Sequence, residues 1–313
     1  MLQSNASKVI RYRRKPLAHR LKDYWQIYVL LLPAVVHIFL FNYLPMYGLQ
    51  IAFRNFKPKL GFWNSAWVGL KWFQKFFSYP HCWRIIKNTL VISLYSLATL
   101  PLSILAALLI NELRSVKFKK TVQMITYAPH FISTVVICAM LNLFLNQSTG
   151  LFNNIIAMLG GERVDFLGNA GAFPHIYVWS DVWQGLGWGT IIYLATLAGV
   201  SPELHEAAYI DGANRMQIIW HINIPSILPT VVIMLIMRCG SILSVGFEKV
   251  YLLQKPLNLD ASQIISTYTY ELGLLGGQYS YSTAIGLFNT LVNVTLLVIV
   301  NTISRRLSDT SLW

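Results

Sequence analysis

The sequence predicts an all-α membrane protein with six transmembrane helices and both termini in the cytoplasm. Hydrophobic residues make up 55% of the 313 residues and charged residues only 12%, whereas a soluble domain carries about twice that share of charge. Six stretches reach the roughly 20 mostly apolar residues that a membrane-spanning helix needs. Lysine and arginine are concentrated in alternate connections, which sets the orientation of such helices.

The six predicted spans follow one another along most of the chain. They cover residues 27–47, 90–110, 122–145, 176–200, 226–247 and 283–303. Several contain proline, which membrane helices tolerate because neighbouring helices satisfy the freed backbone groups. We therefore expect a basic N-terminal tail (1–26), one transmembrane domain (27–303) and a short C-terminal tail (304–313).

Basic residues orient the predicted helices. With the N-terminal tail placed in the cytoplasm, the cytoplasmic segments carry fourteen Lys and Arg residues, seven of them between positions 8 and 22. The connections after the third and fifth spans carry only three, as the positive-inside rule requires. The connection 48–88 departs from this rule with seven, and we predict it to be an amphipathic segment at the outer membrane interface. Its aromatic residues include Trp63, Trp67, Trp72, Phe76 and Phe77.

Nucleic-acid, nucleotide and metal binding are not predicted for this chain. The net charge of +13 is concentrated in the tail beside the first span, where it orients the helix or binds anionic lipid. The sequence has no Gly-x-x-x-x-Gly-Lys-[Ser/Thr] loop to cradle phosphates and no metal-spaced cluster of His, Cys and carboxylates. Its three cysteines, Cys82, Cys138 and Cys239, are far apart, and we predict small buried side chains.

The connection between the fourth and fifth spans, 201–225, has the pattern of a short helix. Ser201 suits the N-cap, and the proline after it suits the first helical position. Glu203 and Glu206 lie near the positive end of the helix dipole, and Gly212 can end the helix in a left-handed conformation. Such a helix either inserts into a groove on a partner and transmits the partner's movement to the flanking spans, or is an ordinary amphipathic surface helix.

This connection resembles the EAA signature of bacterial ABC importer permeases, which reads EAA, three residues, G, nine residues, I-x-L-P. The matching positions are Glu206, Ala207, Ala208, Gly212, Ile222 and Pro225, and the extended form with Asp-Gly-Ala is present as Asp211, Gly212 and Ala213. Ile224 stands in place of the leucine. Other stretches are similar to the polysaccharide and oligosaccharide branch of that group; they are residues 47–53, 67–70, 88–90, 245–249 and 281–286.

The resemblance implies a type I ABC importer permease fold in a bacterial inner membrane. A second, homologous permease would complete the path for a carbohydrate, and an extracytoplasmic solute-binding protein would deliver it. Two ATPase subunits would hold ATP and Mg²⁺, so the chain itself is expected to hold no cofactor and to be no enzyme. In the family the loop helix docks into the ATPase, with Glu206 pairing with a basic group there. The remaining positions expected in this docking element are Glu203, Ala207, Ala208, Asp211, Gly212 and Ala213.

Polar and aromatic side chains at depth in the predicted spans are candidates for the carbohydrate path, since polar groups there are costly. The candidates are Arg238, Trp188, Trp183, Asn289, Asn293 and Glu248. Arg238 and Trp188 fall near mid-depth, and Arg238 would suit an acidic sugar. Each type also has a structural role open to it: an ion pair for the arginine, the interface belt for tryptophan and interhelical hydrogen bonds for asparagine.

Three alternative functions stay open at this point. A permease for a non-sugar substrate would share the same signature. An ion-coupled secondary transporter would carry coupling acids at mid-depth, whereas Asp181 is predicted near an outer end of its span. An intramembrane enzyme would need a nucleophile and a base at matched depth, and no such pair is evident.

Overall fold

The computed structural model describes residues 23–307, 311 and 312. The basic residues between positions 8 and 22 lie outside this range, as do parts of the C-terminal tail. In the described part the regular structure is helical, apart from an isolated bridge between Arg54 and Trp67. The chain divides into two compact units, residues 1–50 and 51–313.

The described part of the first unit is a long apolar helix. α1 (Trp25–Ile38) continues through a π-helical turn (Phe39–Tyr43) into a further helical turn (Leu44–Met46). The amide of Leu44 donates to the carbonyl of Phe39, five residues back. A proline follows Leu44, and a proline ring clashes with the carbonyl four residues before it. The wider turn fits that restriction without ending the helix.

The second unit carries the other helices. In chain order they are α2 (Lys71–Phe77), α3 (Cys82–Ala98), α4 (Leu100–Asn111), α5 (Val116–Tyr127), α6 (Thr134–Phe144), α7 (Leu151–Met158), α8 (Phe173–Ala198), α9 (Pro202–Ile210), α10 (Arg215–Ile218), α11 (Ile224–Cys239), α12 (Phe247–Leu253), α13 (Leu259–Ser262), α14 (Ile265–Tyr270) and α15 (Tyr279–Leu307). A π-helical turn (Ile219–Asn223) joins α10 to α11, so these two form one continuous rod.

Several helices are long and apolar enough to cross a membrane. Within the described residues they are Trp25–Phe53, Cys82–Asn111, Arg215–Cys239 and Tyr279–Arg306. The pair α5 and α6 makes a fifth if it counts as one bent span. α8 covers all but the last two residues of the predicted fourth span and is 26 residues long, but it is less apolar than these helices. The structure supports a multi-pass membrane protein with four or five apolar spans, and the sixth stays a prediction.

The third predicted span is not a single straight helix. The sequence predicts one helix over 122–145, whereas the chain bends by 94° between α5, with its 3₁₀ extension, and α6. Pro129 lies in that extension. Ser133 then begins a new helix, because its side chain accepts the backbone N–H of Val136. Apolar composition predicted a helical segment here but not its bend.

The fifth predicted span, 226–247, ends earlier than expected. α11 stops at Cys239, and residues 240–246 are irregular before α12 begins. Gly240 lies against α15, where an added Cβ would approach the Cδ1 atom of Leu297 to 2.6 Å. The chain therefore leaves the helix where its backbone meets the last span.

The core is built around α8, which packs against α3, α4, α5 and α11. Glycine permits the closest of these approaches. A Cβ on Gly187 would lie 2.2 Å from the carbonyl oxygen of Thr126 in α5, a distance that no side chain can occupy. This packing makes α8 the wall against which the other helices position the candidate site.

The segment between α1 and α3 is only partly surface. Phe76, which the sequence predicts at the membrane interface, is 1% exposed. Its ring packs against Tyr268 and Phe288, so α2 is a core element that holds the first turns of α15. Trp63 and Trp67, in contrast, are exposed.

Candidate functional site

The helix break after α11 lies inside the thickness that α15 spans. Leu297, which Gly240 meets, follows Tyr279 by 18 residues, about 27 Å along α15 at 1.5 Å per residue. About 15 Å of α15 remain beyond it. A hydrocarbon core is about 30 Å thick, so the break, and Arg238 beside it, lie well away from both ends of α15. The mid-depth position that the sequence predicts for Arg238 stays a prediction.

Asn293 of α15 holds the irregular segment in place. Its side-chain oxygen accepts the backbone N–H of Leu243 at 3.0 Å, and its Nδ2 donates to the hydroxyl of Ser244 at 3.0 Å. Non-helical backbone at membrane depth is tolerated where it is buried in protein or lines a water-filled cavity. Asn293 thus bonds to the irregular segment rather than to another helix. The buried Oδ1 of Asn289, one turn earlier, has no hydrogen-bond partner in the described part of the chain.

Two cavities meet at the break. A cavity of about 160 Å³ is lined mainly by hydroxyl and charged side chains, including Ser93, Ser96, Ser244, Tyr177, Asp181 and Arg238. A larger cavity of about 720 Å³ is lined by His130, Gln184, Trp188 and Met234 among others, together with the same Asp181 and Arg238. The carboxylate and the guanidinium therefore border both spaces.

Asp181 is paired with a buried lysine. Its Oδ1 lies 3.4 Å from Nζ of Lys249, and the Lys249 residue is 4% exposed. The ammonium also lies 5.1 Å from the centre of the Tyr177 ring, a cation–π arrangement. Burial lowers the pKa of Lys249, and the Asp181 carboxylate opposes that shift. In contrast, no carboxylate of residues 23–307 lies within ion-pair distance of Arg238, so its positive charge faces the cavities.

The aromatic candidates separate into two groups. Trp188 lines the larger cavity and stacks on His130, with ring centres 4.4 Å apart and planes 8° from parallel. Trp183 instead lines a separate apolar groove on the α6 side of α8, together with Trp179. Glu248 is exposed beside Lys249 and lines none of the described cavities. The structure therefore brings Arg238 and Trp188 together and leaves Trp183 and Glu248 outside.

Sequence reasoning did not identify Asp181, Lys249, Tyr177 or His130 as members of the site. Asp181 was assigned to an outer helix end because it is closer to the beginning of α8 than to its end. Its partner lies 68 residues away in sequence. The sequence offered one signal, a charged residue inside a predicted span. That signal indicates a site only when the opposite charge of Lys249 is known to lie beside it.

The loop helix α9 ends in a fully formed left-handed cap. The N–H of Ala213 donates to the carbonyl of Ala208 at 2.9 Å, and that of Gly212 to Tyr209 at 3.1 Å, the two bonds of a Schellman motif. Gly212 has a φ of 80°, as predicted. Asn214 then caps α10 in a reciprocal capping box with Gln217. Two short helices thus follow each other across a tightly hydrogen-bonded turn.

The acidic residues of this loop are all accessible. Glu203, Glu206 and Asp211 are exposed, as is Ala207, while Ala208 is partly buried. Ser201 occupies the N-cap position but makes no side-chain capping bond, unlike the prediction. The remaining docking positions, Gly212 and Ala213, are exposed and partly buried respectively.

A histidine fastens the loop helix to the following span. Nε2 of His205 lies 2.9 Å from Oδ1 of Asn223, which is 1% exposed in the π-helical turn before α11. The N–H of Ile224, which precedes Pro225, donates to the carbonyl of Ile219, five residues back. The first unit has the same π-helical arrangement before its proline at position 45. Because α11 leads directly to Arg238, the loop and the cavity are the two ends of one helical rod.

Comparison with known proteins places this geometry in a family. Residues 99–309 match the family model described as binding-protein-dependent transport system inner membrane component. Protein LplB of Bacillus subtilis (strain 168) is 41% identical over 293 residues, covering 93% of this chain and 92% of LplB. The polygalacturonan/rhamnogalacturonan transport system permease protein YteP of the same organism is 41% identical over 302 residues, covering 96% and 94%.

A solved structure shows the same fold. One chain of a bacterial alginate ABC transporter, crystallised with an alginate pentasaccharide-bound periplasmic protein, superposes with a TM-score of 0.87 at 40% identity, covering 95% of this chain and 99% of that chain. The resemblance to ABC importer permeases seen in the connection 201–225 is confirmed by these matches. This chain belongs to the family of binding-protein-dependent transport system inner membrane components.

Proposed function

We propose that this chain is one of two homologous permeases in an ATP-driven importer and forms half of the path for an acidic oligosaccharide. The observation that carries the proposal is the guanidinium of Arg238, which has no carboxylate partner among residues 23–307 and borders two cavities beside a helix break. An intramembrane arginine is costly unless it has a function or a partner. The related chains named for alginate and polygalacturonan transport support a uronic-acid substrate.

The cavity side chains suit such a ligand in complementary ways. The planar guanidinium of Arg238 can bind a carboxylate through two parallel hydrogen bonds. The hydroxyls of Ser93, Ser96 and Ser244 offer partners for sugar hydroxyls, and the exposed face of Trp188 offers a stacking surface. Lys249 neutralises Asp181, which reduces the repulsion that this carboxylate would exert on an anion.

We also propose the topology that the path requires. Six spans with both termini in the cytoplasm place α9 on the cytoplasmic side and the connection 48–88 outside. The distribution of basic residues supports this orientation, with Arg305 and Arg306 at the end of α15. α8 then serves as the fourth span despite its polar residues, because two of these residues, Asp181 and Gln184, line a cavity rather than face lipid.

The loop helix is proposed to seat in an ATPase subunit that binds ATP and Mg²⁺. Glu206 is exposed for an ion pair with a basic group there, and exposed apolar residues lie in the same connection. These residues are Leu204 (54%), Tyr209 (58%), Ile210 (86%), Met216 (62%) and Trp220 (61%). Exposed apolar patches of this kind mark protein interfaces. Movement of α9 would pass through His205 and the α10–α11 rod to the cavity.

The test is uptake by the complete importer in proteoliposomes. The complex would contain both permeases, the ATPase and the solute-binding protein, with labelled oligogalacturonides, alginate oligomers and neutral oligosaccharides as substrates. We expect ATP-dependent uptake of acidic oligomers that exceeds uptake of neutral ones. Uptake that follows an ion gradient without ATP would contradict the importer. ATP-dependent uptake of neutral oligomers alone would retain the importer but contradict the acidic substrate.

A further inference from the structure

The segment 48–88 has a charge composition that the transport path does not explain. It contains seven Lys and Arg residues and no Asp or Glu. Arg84 forms an ion pair with Asp260, and Arg54 donates to the carbonyls of Trp63 and Ser65. The other five are Lys57, Lys59, Lys71, Lys75 and Lys87, all exposed. None of them forms an ion pair with an acidic side chain among residues 23–307.

Residues 53–68 form a fixed hairpin, called here the basic hairpin. Its strand-like arms are joined by hydrogen bonds from Asn55 to Ala66 and from Val68 to Phe53, each 2.8 Å between N and O. At its tip the N–H groups of residues 60 and 61 both donate to the carbonyl of Lys57, and residue 61 is a glycine with a φ of 68°. The tip therefore presents its side chains from a defined backbone.

The tip combines lysines with exposed apolar side chains. Lys57 and Lys59 flank Leu60, which is 47% exposed, and Trp63 follows at 77%. Trp67, at 63%, lies in the returning arm. Tryptophan rings beside lysine are typical of chain at the headgroup level of a bilayer, where one end of each side chain is apolar and the other wet.

The hairpin is held at the level where two spans begin. The amide of Phe56 donates to the hydroxyl of Ser280 at 2.9 Å, one residue into α15. The span Cys82–Asn111 starts shortly after the hairpin, and its first turn carries Trp83, which is 69% exposed. Ser280 at the start of α15 and Trp83 at the start of α3 therefore place the basic hairpin beside the membrane surface.

We infer that the basic hairpin inserts Leu60 and Trp63 among lipid headgroups and that Lys57 and Lys59 bind the phosphates of anionic phospholipids. The attraction of a basic segment to anionic lipid falls off within a Debye length of the surface, so it requires the close placement that Ser280 and Trp83 provide. Lipid binding would account for the excess of basic residues in this connection, which the positive-inside rule leaves unexplained.

The test uses the assembled transporter with a fluorescent probe at the tip. Leu60→Cys would be labelled with bimane and reconstituted with equal fractions of brominated phosphatidylcholine or brominated phosphatidylglycerol. The unsubstituted chain gives the background, since Cys82 and Cys138 are buried and Cys239 partly buried. We expect quenching by both lipids, and about twofold more by phosphatidylglycerol. The substitutions Lys57→Gln and Lys59→Gln should remove that excess.

Two controls match these changes. Leu257→Cys places the probe at a 73% exposed leucine in another predicted external connection, where we expect no preference for phosphatidylglycerol. Lys117→Gln with Lys119→Gln removes the same charge from a different connection and should leave quenching at position 60 unchanged. A probe at position 60 that neither lipid quenches would overturn the inference. Binding of a polyuronate instead of lipid would also overturn it, and would show as a probe that a soluble polyuronate shields from aqueous iodide while lipids do not quench it. So would a greater quenching by phosphatidylglycerol that persists after Lys57 and Lys59 are both substituted.

Discussion

The loop helix α9 and the cavity beside Arg238 stand at opposite ends of one helical rod, yet they are built from different kinds of contact. The loop is fixed by bonds between residues close in sequence, such as Ala213 to Ala208 and Gln217 to Asn214. The cavity depends on pairs far apart, such as Lys249 with Asp181 and Leu243 with Asn293. We therefore expect that the coupling residues can be changed without unfolding the membrane domain. The residues that shape the cavity also stabilise the membrane domain.

The largest effect is expected at the loop. Glu206→Lys reverses the charge proposed to meet a basic group on the ATPase, and repulsion at a docking contact costs several kcal/mol. Uptake of every substrate should fall more than about 100-fold, with the permease still inserted and folded. The measurement is proteoliposome uptake together with retention of the ATPase subunit in pull-down.

Glu162→Lys is the matched control for this change. Glu162 is exposed in a predicted external connection, so the same reversal of charge should leave uptake within about twofold of the wild-type chain, as expected for a surface substitution away from special features. Normal uptake by Glu206→Lys would show that α9 does not couple the ATPase to transport, and the loop would then have no role to compare with that of the cavity.

A smaller and selective effect is expected in the cavity. Arg238→Gln removes the guanidinium that we propose binds a carboxylate, and charge-assisted hydrogen bonds contribute about 1.5–3 kcal/mol. The concentration for half-maximal uptake of acidic oligomers should rise roughly 10- to 100-fold. Uptake of any neutral oligomer that the importer accepts should change little.

The selectivity of this change distinguishes the two regions. A loop defect lowers uptake of all substrates alike, whereas a cavity defect depends on substrate charge. Arg305→Gln, at the far end of α15, is the control for loss of one positive charge. If Arg238→Gln lowered acidic and neutral uptake equally, Arg238 would be a structural residue and the acidic substrate would lose its support.

The third prediction concerns the helix break itself. Asn293→Ala leaves the buried N–H of Leu243 without its acceptor, which costs about 1–3 kcal/mol. We expect the detergent-solubilised complex to unfold at a lower temperature and the segment 240–246 to become accessible to thiol labelling at an introduced Leu243→Cys, a position that is 3% exposed in the structure. Asn289→Ala, one turn away, should be milder, because the buried Oδ1 of Asn289 has no partner in the described residues to lose.

Local patterns explain which parts of the molecule could be predicted from sequence. Glu206 through Gly212 form a helix and its cap within a few residues, so their spacing alone revealed both the helix and its end. Four of the six predicted spans, and a fifth as a bent pair, were found because apolar length is also a local property. The end of α11 was missed because it depends on Gly240 meeting Leu297, and the ion pair of Asp181 was missed because its partner, Lys249, is distant in sequence. Neither contact leaves a periodic signal in the chain.

The smallest effect is expected from Gly212→Ala. A φ of 80° is left-handed, and an L-residue with a Cβ adopts it at a cost of about 1 kcal/mol. Nothing lies within 4 Å of the added Cβ, so the cost is conformational and should tilt α9 without disturbing the helices around α8. Affinity for the ATPase, measured by titration in detergent, should fall about fivefold while the unfolding temperature of the permease stays constant. Gly286→Ala, a glycine in α15 with equally open surroundings and no positive φ, should change neither quantity. A lower unfolding temperature for Gly212→Ala would show that the loop and the cavity share their stability, which contradicts the independence that the local bonds of α9 predict.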